Sequence, residues 1–157
     1  MTLYDVIKWL HILSSTVLFG TGIGTAFHLW LTHKRGTASQ IALAARNTVL
    51  ADWLFTLPAG IAQPVTGFWL VWLAGWDLWS PWLVVSYGLY ILAFCCWLPV
   101  VFLQIEAERL ASAAARNGEP LPPRYHTVMR WWFALGWPAF IGLIAVFGLM
   151  VAKPRLW

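Results

Sequence analysis

Few side chains in this sequence can do chemistry, and the first of them is His11, in the stretch Trp9-Leu10-His11-Ile12-Leu13-Ser14-Ser15 of a long apolar run. About seven residues into that run, at roughly 1.5 Å per residue, its imidazole would lie about 10 Å below a membrane surface, too deep for a short side chain to reach water. On a helix Ser15, Leu18 and Gly22 share its stripe, and small residues above and below a histidine leave room for something flat or bulky beside it. The alternative is a neutral histidine bonded to a backbone carbonyl that a proline has freed. A second polar group assembles by position: His28, Asp52, Gln104, His126 and Arg130 fall at similar depth if successive apolar runs are antiparallel. Asp52 and Arg130 could form a structural ion pair, or join His28 and His126 in a proton path or second ligand site; the two histidines could also bracket a metal. No HExxH or CxxC ligand spacing is present. His33 is read as part of a solvated loop.

The elements that must position these groups are set by composition. Of the 157 residues, 61% are hydrophobic and 10% charged, which excludes a soluble fold. The formal net charge of +4 does not point to nucleic acid, because the ten lysines and arginines are scattered at the ends of apolar runs. A spanning helix needs about 20 mainly apolar residues. Stretches near 4–31, 48–74, 82–110 and 125–152 meet that length, predicting a single all-α domain: a polytopic membrane protein with an antiparallel bundle of four transmembrane helices. The N-terminus lacks a basic region and a small-residue cleavage site, so the first run is expected to stay as a span.

The connecting loops, 32–46 and 111–124, hold or adjoin Lys34, Arg35, Arg46, Arg109, Arg116 and Arg124, whereas the other side has only Lys8, Lys153 and Arg155. The positive-inside rule therefore puts both loops in the cytoplasm and both termini outside. Trp69, Trp72, Trp76, Trp79 and Trp82, three or four residues apart, read as an interfacial indole belt. Pro58, Pro64, Pro99 and Pro138 should bend three helices around a straight first one, with or without opening a pocket between them. Gly20 and Gly24 form a GxxxG pair expected to pack within the bundle. Cys95 and Cys96, adjacent in an apolar run, read as core thiols rather than a disulfide.

The segments "LHILSSTVLFGTGIGTAF", "VLADWLFTLPAGIAQPVTGFWL", "CWLPVVFLQI", "PLPPRY" and "WFALGWPAFIGLIAVFGLMVAKP" resemble, nearly end to end, the bacterial four-helix integral membrane protein family of domain of unknown function 2269. That resemblance implies a multi-pass protein of the bacterial inner membrane. The first span, with Trp9-Leu10-His11 followed by a glycine-containing stretch, is also similar to the opening helix of membrane protoporphyrinogen oxidases of the HemJ type and copper-resistance proteins of the CopD type. In the former a first-helix histidine is associated with b-type haem, and the role maps onto His11 as the iron's axial ligand, with Ser15 and Gly22 beside it.

Three functions follow as expectations. A protein holding haem b would act in redox, electron transfer or haem-related chemistry with a quinone or periplasmic partner, its sixth ligand drawn from Tyr87, Tyr90, Gln63 or Met150, or absent. A cofactor-free accessory or assembly subunit would use its tryptophans and GxxxG pair against lipid and other membrane proteins, or in a homo-oligomer. A proton-coupled transporter of a small solute or metal ion would rely on Asp52, Arg130 and His28.

Overall fold

The computed structural model describes residues 1–156. Helix α1 (Leu3–Arg35) opens on a reciprocal cap, with the Asp5 N–H donating to the Thr2 hydroxyl at 3.2 Å and the Thr2 N–H to the Asp5 carboxylate at 2.8 Å. Only Gly36 and Thr37 interrupt the helical chain before α2 (Ala38–Ala51), because Thr37 and Gln40 repeat the same cap. The helix then continues through a π-helical turn, Asp52–Thr56, into α3 (Leu57–Ala74), so that 37 residues form the second span. The wide turn has a local cause. Pro58 has no N–H for the Leu54 carbonyl, and the Leu57 N–H reaches five residues back to Asp52. Gly75 ends α3 with φ +66°; α4 (Pro81–Asn117) ends at Gly118 with φ +67°, and α5 (Pro123–Ala152) completes the chain. These two turns need the left-handed backbone that glycine adopts freely.

All four long helices are apolar enough to cross a membrane, and no strand occurs among the described residues. The expected loops are shorter than hydropathy suggested. Residues 32–35, 38–46 and 111–117 are helical, since Ala-rich segments such as "ASQIALAARN" and "LASAAARN" keep their helix propensity after their membrane-spanning hydropathy has ended. At about 1.5 Å per residue α1 and α4 are roughly 50 and 55 Å long, well beyond the ~30 Å hydrocarbon core.

Packing divides the bundle into two pairs, α1 with α3 and α4 with α5, while α2 lies against both α1 and α4. The end carrying the two connections, here the loop end, holds the main core: Leu29, Ile41, Ala45, Ala107, Ala111, Tyr125 and Met129 are at most 1% exposed. At the termini end Val71, Trp82 and Leu83 form a smaller core. There the indole belt divides. Trp69, Trp72 and Trp79 face outward, but Trp76 and Trp82 meet edge to face at 5.5 Å, and the Lys153 ammonium sits 4.0 Å from the Trp76 ring centre.

Two packing expectations are corrected. Beyond the backbone of their own helix no atom comes within 4 Å of where a Cβ would stand on Gly20 or Gly24, so the GxxxG pair faces away from the bundle; Gly22, on the opposite side of the helix, faces inward against Phe140. Cys96 is buried but Cys95, one residue round the helix, is exposed on the outside.

Candidate functional site

His11 lies where α1 crosses α3, and its Nδ1 and its backbone carbonyl help to hold the two together. The Thr66 hydroxyl donates its one proton to the Ala62 carbonyl at 2.6 Å, so the His11 Nδ1–H donates to Thr66 Oγ1 at 2.7 Å. The Gln63 amide donates to the His11 carbonyl at 2.7 Å and to the Ser14 hydroxyl, which itself donates to the His11 carbonyl at 3.1 Å. The ring rests on Gly67, where a Cβ would stand 3.3 Å from Cε1. The Ser15 hydroxyl turns to its own helix, donating to the Ile12 carbonyl at 2.7 Å. Next to this knot, between Ser15, Gln63 and Tyr90, lies a cavity of about 20 Å³, room for one water.

The large space lies deeper. Between α1 and α5, whose backbones stand apart, runs a groove of about 810 Å³, within the usual range for a small-molecule site. Gly22 lines it, three turns beyond His11, which does not. Toward the termini end Phe19 closes it by edge contacts with Phe140 and Phe147 at 5.8 and 5.6 Å. Toward the loop end His33 bridges to α5, its Nδ1 3.0 Å from the Tyr125 hydroxyl and its ring packed on His126 and Phe133. Lys34, His126 and Arg130 stand at that mouth. The walls are mainly apolar and aromatic, with Phe27, Trp30, Phe94, Trp137, Leu143 and Ile144 among them.

Halfway along, the groove becomes polar. Asp52 Oδ2, Thr56 Oγ1, Trp97 Nε1, Gln104 Oε1 and Trp132 Nε1 are all buried without a hydrogen-bond partner, and all five residues line the groove. Among the described residues only Tyr87 Oη shares that state elsewhere. Asp52 is 4% exposed and Gln104 3%, so neither reaches outside solvent. Thr56, Gln104 and Trp97 turn toward the Asp52 carboxyl without forming a hydrogen bond with it. Each buried polar group left unpaired costs about 1–3 kcal/mol. Left wholly unpaired, five of them would offset most of a typical folding free energy, so they lean on one another around Asp52 and leave room for a polar occupant, water or ligand.

Of the residues that sequence singled out, Asp52, Gln104, His126, Arg130 and Gly22 line this one groove; His11, Ser15 and His28 do not. His28 is exposed on the outer surface, and the histidine that joins His126 at the mouth is His33, which belongs to the last turns of α1 rather than to a loop. The Asp52–Arg130 ion pair is not formed. Asp52 lies fourteen residues along the helix from Ala38, roughly 21 Å from the loop-end turn, whereas Arg130 is only seven residues from Pro123, about 10 Å. The Arg130 guanidinium is exposed and donates to the Thr127 hydroxyl at 3.4 Å, and the ion pairs among the described residues join Glu106 to Arg109 and Arg124. No group of three or more metal-ligating side chains occurs among the described residues.

Sequence reasoning passed over Thr56, Trp97 and Trp132, and weighed Tyr90 only as a haem ligand. For Tyr90 the signal was present: Pro64 cannot donate to the Gly60 carbonyl, and the Tyr90 hydroxyl does so at 2.6 Å. A family model described as "Predicted integral membrane protein (DUF2269)" matches residues 5–154. No curated protein and no solved structure matches the chain.

Proposed function

The chain belongs to the family of that model, domain of unknown function 2269, and from the groove it carries we propose that it binds a small amphipathic molecule inside the bilayer. The molecule enters sideways from lipid, between α1 and α5. Its apolar part lies along the aromatic walls and its polar end docks halfway down, on Asp52, Thr56, Gln104 and the two indoles. One observation carries this reading: five residues with buried, unpartnered polar atoms line a single space of ligand size. The cationic residues cluster at the loop end, which supports placing that end in the cytoplasm of a bacterial cell, with the groove mouth at the inner headgroup layer.

The test is to fill the groove. A Cβ on Gly22 would meet the Phe140 ring at 3.4 Å, an ordinary contact, so Gly22→Trp is tolerated at its base and projects an indole into the space. Native mass spectrometry of protein released from lipid nanodiscs should show a retained small-molecule adduct in the wild type and at least a tenfold reduction in the variant. Equal retention by both proteins, or no adduct on either, would sink the proposal.

A further inference from the structure

We infer that the groove selects a lipophilic cation, an amine on an apolar chain or ring; this rests on the groove being a ligand site. Halfway along it Asp52 is the one charged side chain, its Oδ2 without a partner. Lys34, His33, His126 and Arg130 also face the groove, but at its mouth, and by helix rise Arg130 stands about 10 Å nearer the loop end than Asp52. Those groups lie at headgroup depth, where lipid phosphates and water neutralise them.

The ionised form of a carboxyl this deep needs a counter-charge, and no protein group supplies one. Gln104 Oε1 adds a second unpartnered acceptor on the same groove. An ammonium has several N–H donors to divide between the two, together with the counter-charge that an ionised Asp52 lacks. The rings of Trp97 and Trp132 form part of the surrounding wall, and aromatic faces attract cations within about 6 Å. A neutral alcohol has one donor for two acceptors and leaves the carboxylate uncompensated; an anionic head would be repelled by it. The Trp132 N–H stays available for an oxygen borne by the ligand or for water.

The experiment compares three radiolabelled probes of one chain length, dodecylammonium, dodecanol and dodecanoate. Saturable binding is measured on the full chain in phosphatidylcholine nanodiscs, with the Gly22→Trp protein defining the background. Dodecylammonium should bind at least tenfold more tightly than the other two. Asp52→Asn, which keeps size and polarity, should lower its affinity at least tenfold while leaving dodecanol unchanged. Gln104→Met is the second variant, expected to weaken the amine in the same sense should Asp52→Asn fail to fold. If dodecanol or dodecanoate binds as well as the amine, or Asp52→Asn binds dodecylammonium like the wild type, the cation inference is overturned while the groove reading stands. If none of the three binds above the Gly22→Trp background, both fall.

Discussion

Pro64 withholds a donor from the Gly60 carbonyl, and the Tyr90 hydroxyl of another helix takes up the vacancy at 2.6 Å. Tyr90→Phe keeps the ring and removes only that bond, so it should lower stability by about 1–3 kcal/mol. Thermal unfolding in detergent reads this directly, and an unchanged midpoint would show that water serves the carbonyl equally well. The same logic governs His11. Depth alone singled out its imidazole, but its partners, Thr66 and Gly67, lie more than fifty residues away in sequence and depend on how α3 is rotated. The alternative of a proline-freed carbonyl identified a real need in the helix and assigned it to the wrong side chain. Asp52 and Gln104 were legible as costly polar residues at membrane depth; Trp97 and Trp132 were not, because a tryptophan whose N–H is buried beside a cavity has the same sequence appearance as one facing lipid.

At the level of elements, the four spans were visible as apolar runs, and the caps at Thr2 and Thr37 are local enough to read in sequence. What hydropathy hides is helix that leaves the membrane without ending. This displaced the depth of Asp52 relative to Arg130 and created an ion pair on paper that the backbone keeps apart. The π-helical turn is the element on which the candidate site depends, since it carries both Asp52 and Thr56. Pro58→Ala supplies the missing N–H to Leu54 and favours ordinary α-helical register, which removes the extra residue from that turn and swings Asp52 by about 100°. The variant should unfold at a higher temperature yet retain several-fold less of the groove adduct. Retention equal to the wild type would mean that the turn does not aim the carboxyl.

For the whole molecule, orientation rests on charge: Lys34, Arg35, Arg46, Arg109, Arg116, Arg124 and Arg130 gather toward one end, against Lys8, Lys153 and Arg155 at the other. Glu119→Cys in a chain with Cys95→Ala and Cys96→Ala should react with a membrane-impermeant maleimide in inverted vesicles and not in intact spheroplasts. The reverse pattern would invert the assignment, and with it the leaflet from which the groove fills. The molecule is close-packed at both ends and open between them. Its volume is therefore unevenly distributed, with the open space gathered in the groove between α1 and α5. Hydrostatic pressure applied to the empty protein would draw those two helices together before it disturbed either end, and an occupant that filled the groove would make the same chain resist.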